Sequence, residues 1–487
     1  MSKISIARML DIGISLSSEK NPNRLLRIIL NEAMNITGCD GGTLYIKSGD
    51  VLSFKMIINK SMNCYKGVDG TFINLPPVAL RPENVCARSV LEHSLINVPD
   101  VYKDARFDFS DRRRYDTVTG YHTTSMLVIP MEDDCGDVIG VLQLINAKNE
   151  AKESVPFDPA DHQAILSLAS QAAIRLTNMN YSAEIIETLD SFAKVMSTAI
   201  DARTPYNANH TRNMVKYGSR FLNWLEATGN EWRMDEAECR QFLMSIWLHD
   251  VGKLAIPQEI MDKESRLGSR LSQIEQRFTV IGLLNKISLL SGTIDEVEYN
   301  RRVKALNDAD ALIHQVNNTD FLSDETLAAI NALSKRTYIN EKGESCLWIT
   351  SEEYDSLSIR KGTLTEAERE VIESHVTMTA KMLDEMKFSR NYAKVPEWAS
   401  SHHEFLNGRG YPNHKTADAL SREVRLLTIL DIFDALTARD RPYKAPMPTE
   451  DALVILDGMV KDGQLDGTIL SLFKQSNAWQ EDTSPAV

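Results

Sequence analysis

Two helices in this sequence carry a carboxylate where an apolar interior should not tolerate one. In QFLMSIWLHDVGKLAIP (241–257), Phe242, Leu243, Ile246, Trp247 and Leu248 make the helix apolar on almost every side, yet it ends in His249-Asp250. In RLLTILDIFDALTA (425–438), Asp431 interrupts Leu426, Leu427, Ile429, Leu430, Ile432 and Phe433. Burying an ionised carboxylate without a partner is strongly unfavourable. The fold must therefore bring cations or donors to these positions.

Histidines recur in the same neighbourhoods. A helix opening at the capping box Thr365-Glu366-Ala367-Glu368 sets Val371, His375, Met378 and Met382 on one inward stripe, at spacings of four, three and four. SHHEFLNGRGYPN (401–413) places His402-His403-Glu404 directly before a glycine-rich stretch and a Tyr-Pro. Taken singly, each residue also reads as a core histidine satisfied by the backbone or as a salt-bridged aspartate. Together they suit iron, manganese or zinc, and more than four ligands implies more than one ion. HExxH is absent, which removes the commonest zinc-protease reading.

A chain of 487 residues favours two or three domains. No run approaches the length of a membrane span, and the start MSKISIARML lacks a signal peptide's cleavage region, so a cytoplasmic protein without a membrane segment is expected. The six cysteines form no CxxC pair, which speaks against a disulfide framework and a zinc ribbon. A net charge of −14 opposes binding to long nucleic acids but leaves room for a small phosphorylated ligand beside a metal.

The first ~180 residues alternate helical and strand-like patterns, and MLVIPMEDDCGDVIGVLQLIN reads as a hairpin around EDDCGD. From about residue 163 one long helix is expected. Ile165, Leu168, Ala172, Leu176, Met179, Ile186, Leu189, Ala193 and Met196 follow spacings of three, four or seven, the seam of a packed helix pair or one face of an ordinary amphipathic helix. Beyond residue 200 the chain reads as helical nearly throughout. A segment at about 264–361, with a loop-rich NEKGES and the lone His314, reads as an insertion between motifs that ought to cooperate.

In order, His210, His249-Asp250 with Gly252-Lys253, His375, His402-His403 with Glu404, Gly410-Tyr411-Pro412, Asp431 and ALTARDRPYK (435–444) resemble the signature of HD-GYP domains. The resemblance covers about 200–264 and 361–460. It implies an all-α metal-dependent phosphodiesterase that opens cyclic dinucleotides, chiefly cyclic di-GMP to linear pGpG, with 3′,3′-cyclic GMP-AMP as the alternative substrate and a catalytically silent receptor as the alternative role. It further implies His210, His249, Asp250, His375, His402, His403 and Asp431 as metal ligands, with Asp250 bridging two divalent ions, iron or manganese. By the same resemblance Lys253 faces the phosphate, Gly410, Tyr411 and Pro412 form the lip of the site, and Arg441 and Lys444 hold substrate phosphates. Asp434 and Glu404 are expected to orient ligands. Some family members bind a third ion through a glutamate four residues before the first histidine. Here that position is Tyr206, a poor ligand for a hard cation, so two ions are expected.

Residues 97–131 and GVLQLIN, within about 1–180, are similar to GAF domains found beside cyclic-nucleotide enzymes. Asn146, Phe157 and Asp161 follow that subgroup's NK…F…DE pattern, whereas Ala147 and His162 stand where it has lysine and glutamate. The expectation is a sensor or dimerisation module with no ligand named. The whole is then a multidomain chain: an α+β GAF domain with an antiparallel sheet and flanking helices (1–180), a connecting helix (181–200) and an all-α HD-GYP domain (201–487). A homodimer regulated through the connecting helix is expected.

Overall fold

A computed structural model describes residues 6–67, 73–203, 209–438 and 446–480. Arg441, Lys444 and Tyr206 lie outside the described residues. The chain divides into two compact units, Met1–Thr188 and Leu189–Val487. No described helix is long and apolar enough to cross a membrane.

In the N-terminal unit an antiparallel sheet forms from β1 (Cys39–Ser48), β2 (Val51–Asn59), β3 (Cys64–Lys66), β4 (Val78–Ala79), β5 (Ile96–Val98), β6 (Met126–Glu132), β7 (Val138–Lys148) and β8 (Ser154–Val155). The main order is β3-β2-β1-β7-β6-β5, with β4 on β2 and β8 on β7. The expected hairpin is β6 and β7, paired from Met126↔Ile145 to Glu132↔Val138. Helix Pro22–Thr37 starts where the Asn21 side chain accepts from the Asn23 and Arg24 amides, and it ends at Gly38 in the left-handed region. Its Leu26, Ile29, Leu30 and Met34 join Leu44, Leu142 and Leu144 of the sheet and Ile165, Leu168 and Leu176 in one core. On the opposite face Val85, Cys86, Val90, Phe107 and Phe109 pack on Tyr45, Val128 and Val141.

The long helix runs His162–Asp201. The seam expected from its spacing is mostly buried, although the half-buried Ile186 joins neither core. Ile165, Leu168, Ala172 and Leu176 lie in the core of the first unit, with Met179 packed against it. Ala193 lies in a core with Met244, Leu248 and Val251, against which Leu189 and Met196 pack. Three- and four-residue spacing marks a buried face but does not say which partner buries it. Here the chain's own cores do.

Among the described residues of the second unit, the regular structure is helical apart from one short hairpin. Helices His210–Ala227, Glu236–Leu248 and Arg422–Thr437 share a core built on Met214, Phe221, Phe242, Ile246, Leu427, Leu430 and Phe433. Helix Glu366–Asp384 begins at the expected capping box, the Thr365 hydroxyl and Glu368 carboxylate satisfying each other's backbone amides. Between these, helices Arg270–Leu290, Glu296–Asn317, Asp324–Leu333 and Ser351–Leu357 enclose a separate core around Phe278, Ile313, Ile330 and Trp348. NEKGES proves to hold the turn of a hairpin, Thr337–Ile339 against Ser345–Leu347. The chain leaves for this segment and returns at one clasp. Lys263 Nζ reaches the two Glu368 carboxylate oxygens at 2.6 and 2.8 Å, and the Thr363 hydroxyl donates to the Lys263 carbonyl at 3.1 Å. Just inside, the buried Arg266 guanidinium donates to the carbonyls of Ile359, Val316 and Thr319.

Candidate metal centre

His249, His375 and His402 come from three separate segments and are held in one way. Each ring sets Nδ1 against the carbonyl three residues earlier, Ile246 at 2.7 Å, Ile372 at 2.6 Å and Ala399 at 2.7 Å. With Nδ1 donating there, Nε2 carries the lone pair. All three Nε2 atoms and Asp250 Oδ1 are buried without a hydrogen-bond partner among the described residues. Unpaired buried polar atoms are costly, and convergent ones with free lone pairs fit a cation.

The donors fall into two groups flanking Asp250. Ligating atoms of His210, His249 and Asp431 lie within 4.8 Å of one another, as do those of His375, His402 and His403. Asp250 Oδ2 is 3.2 Å from His249 Nε2, and Oδ1 is 3.4 Å from His375 Nε2. Every residue expected as a ligand is thus brought together.

Electrostatics agree. Burial lowers the pKa of His402 far below its ordinary range, helped by the neighbouring imidazoles, and brings His403 down to about 4, so both rings are neutral and able to ligate. Burial also acts to lower His210, but its bonds to Asp431 (3.1 Å) and Asp434 (2.7 Å) raise it to about 10. A cation between Nε2 and Asp431 would replace that proton. Burial works against the charge on Asp431 and on Asp250, yet the His210 bond to Asp431, and His249 and Lys253 beside Asp250, hold both below the usual carboxylate range.

The supporting residues differ from expectation in one case. Asp434 does orient His210, through Nδ1. Asp434→Asn is therefore expected to weaken metal binding roughly 10–100-fold, measured by titration with Mn²⁺; unchanged affinity would mean that the helix alone fixes the ring. Glu404 orients no histidine. It accepts from the amides of Asn413 (2.7 Å) and Lys415 (2.9 Å) and so pins the glycine-rich loop. The Tyr411 amide donates to the His403 carbonyl at 3.1 Å, and its ring stacks on His403 with centroids 4.7 Å apart. Gly410 is required by this closeness, since a Cβ would stand 2.5 Å from Glu404 Cα and run into the His403 carbonyl.

Other positioning residues were not singled out in the sequence. Thr379 donates to the His249 carbonyl and accepts from the Gly252 amide, both at 3.0 Å, and Thr428 donates to the His402 carbonyl at 2.9 Å. Arg203 donates to the carbonyls of Lys253, Leu254 and Ile256 at 2.6 to 2.9 Å, fixing the turn that carries Lys253. Asp201 is buried nearby, and burial raises its pKa to about 6. A threonine or arginine near a helix end gives no sequence signal of this kind.

Family models match at both ends: the GAF domain over residues 21–176 and the HD domain over residues 352–469. The chain joins a GAF domain to an HD domain. The HD match includes His375, His402, His403 and Asp431, while His210 and His249-Asp250 precede it. Among similar proteins, the 3′3′-cGAMP-specific phosphodiesterase 3 of Vibrio cholerae is 39% identical over 98 residues, 20% of this chain and 20% of that protein. The cyclic di-GMP phosphodiesterase response regulator RpfG of Xanthomonas campestris is 34% identical over 104 residues, 21% of this chain and 26% of its own. The dual 3′,5′-cyclic-AMP and -GMP phosphodiesterase 11 of Drosophila melanogaster is 46% identical over 207 residues, 41% of this chain but 13% of that protein. The GAF and HD chain thus spans about a quarter or less of each of these relatives.

Proposed function

We propose that this chain is a metal-dependent phosphodiesterase that opens cyclic di-GMP to linear pGpG in the cytoplasm, under control of its GAF domain. The observation that carries it is the pair of donor groups facing the two oxygens of Asp250. Two divalent ions held there, iron or manganese, would supply an activated water and neutralise charge on the phosphate oxygens. His210, His249 and Asp431 would hold one, His375, His402 and His403 the other, and Asp250 would bridge. Lys253 Nζ bonds Asp250 Oδ2, so its charge lies at the edge of the centre, where it can meet a phosphate oxygen. Burial acts to lower the Lys253 pKa, but Asp250 raises it on balance and keeps it cationic. Gly410, Tyr411 and Pro412 close over His403 as a lip for the substrate, and Arg441 and Lys444 are assigned to its phosphates. The GAF ligand stays unassigned, and a homodimer is part of this reading.

The identity to a cGAMP-specific enzyme supports a second substrate reading, 3′,3′-cyclic GMP-AMP. Incubating Mn²⁺-loaded protein with each dinucleotide and resolving products by chromatography decides between them. Linear dinucleotide from neither would refute the enzyme reading and leave a binding role. Elemental analysis of anaerobically purified protein is expected to give two ions per chain, and three would show that Tyr206 or another residue supplies a third site.

A further inference from the structure

Two buried threonine hydroxyls tie the donor groups of the candidate metal centre to each other. Thr379 lies on helix Glu366–Asp384, one turn after His375, and donates to the carbonyl of His249 at 3.0 Å. Thr428 lies on helix Arg422–Thr437, three residues before Asp431, and donates to the carbonyl of His402 at 2.9 Å. His375 and His402 belong to one donor group, His249 and Asp431 to the other. Each hydroxyl therefore runs from a helix that carries a donor of one group to the backbone of a donor in the other. The two crossings go in opposite senses.

These are not the bonds that a helical threonine makes by default. Thr198 and Thr437 in the same unit donate to the carbonyls four residues earlier, those of Lys194 and Phe433, as such hydroxyls commonly do. Thr379 gives its hydrogen to His249 instead, and Thr428 divides its own between Val424, four residues back, and His402. His249 caps the end of helix Glu236–Leu248, so its carbonyl is among those that a helix leaves without a partner of its own. The same Thr379 oxygen accepts from the Gly252 amide at 3.0 Å and thus holds the backbone on both sides of Asp250. His249 and His402 are also the histidines that meet at the junction of the two groups. With Asp250 they bring ligating atoms within 4.8 Å of one another, and their ring centroids stand 4.8 Å apart. Their Nδ1 atoms are already fixed by the carbonyls of Ile246 and Ala399, so the hydroxyls fix the backbone end of the same two residues.

We propose that Thr379 and Thr428 are positioning residues that set the separation of the two ions. Displacement at a two-ion centre works over a narrow range, about 3.5–4 Å between the ions, and imidazoles carried on independent helices would let that distance drift. Crossed bonds between the halves remove this freedom, while each half keeps its own donors. The inference rests on the two-ion reading above and names what in this chain maintains it.

The test titrates the metal-free, full-length chain with Mn²⁺ and follows it by electron paramagnetic resonance, because two Mn²⁺ ions that share a ligand are magnetically coupled and the coupling depends steeply on their separation. The parent is expected to take two ions and give the coupled spectrum. Thr379→Val and Thr428→Val keep the shape of the side chain without its hydroxyl. In each, the first ion is expected to bind as in the parent and the second roughly 10-fold more weakly, with an altered coupled spectrum. Thr379→Ser and Thr428→Ser keep the hydroxyl and are expected to give the parental spectrum. A parent with no coupled pair refutes the two-ion reading itself. Given a coupled parent, valine variants with parental affinities and spectrum overturn the proposal. Loss of both ions together overturns it too, since the hydroxyls would then support the fold and not the distance between its halves. Serine variants that behave like the valine ones would make the methyl groups responsible and overturn it as well. No readout involves turnover, so the result stands apart from the choice of substrate.

Discussion

Replacing Asp250 by alanine is expected to abolish turnover and release metal while leaving the helices intact. Its two oxygens meet both donor groups closely, at 3.2 Å from His249 Nε2 and 3.4 Å from His375 Nε2, whereas Asp431 reaches the second group only at 3.8 Å from His403 Nδ1. Without it the site would lose its shared ligand, and the group of His375, His402 and His403 would offer neutral imidazoles with no carboxylate of its own to balance a cation. An ion supplies several kcal/mol of transition-state stabilisation, so losing its position should reduce the rate by about a thousandfold or more at 1.36 kcal/mol per tenfold. Chromatography of the nucleotide products and elemental analysis of the same sample read both effects. Lys253→Ala should separate them: metals retained, turnover down roughly a hundredfold, as for the loss of one charge-stabilising donor. Metal loss there would make the lysine structural.

Gly252→Ala is expected to be the most damaging change outside the ligands. A Cβ at this position would run into the His375 carbonyl and stand 2.5 Å from the Thr379 amide nitrogen. Both atoms belong to the backbone of helix Glu366–Asp384, which cannot yield as a flexible side chain would. Either that helix moves, taking His375 from Asp250, or the turn Val251–Ala255 does, taking Asp250 and Lys253 with it. We expect a loss of about 3 kcal/mol, the upper end of ordinary overpacking, in urea unfolding of the second unit, with metal affinity falling in parallel. Wild-type stability and metal content in this variant would contradict the packing described.

The candidate ligands were legible because they violate local rules. Asp431 inside an apolar helix and His402 beside His403 make no sense as packing, and residues that break local rules in this way are where a functional site is expected. The capping box at Thr365 and the hairpin of β6 and β7 were legible for the opposite reason, as strong local signals. What the spacing could not supply was the partner of a buried face. Ile165 to Met196 form one apolar line on the long helix, and only the folded chain shows that Ile165, Leu168, Ala172 and Leu176 are buried in one core and Ala193 in another. Thr337–Ile339 and Ser345–Leu347 were missed because three-residue strands carry too little alternation to read. Glu404 was misassigned because its neighbours in sequence are ligands while its partners, the amides of Asn413 and Lys415, lie across a loop.

The clasp of Lys263, Thr363 and Glu368 bears on how such a chain could arise by descent. A segment whose two ends meet at one point can be gained, lost or replaced as a block, because the host perceives only the joint. Here the joint stands between His249-Asp250 and His375, so the metal centre is interrupted in sequence but not in space. The segment between them keeps its own core around Phe278 and Trp348 and contributes none of the candidate ligands. Changes on its surface therefore need not disturb the candidate metal centre.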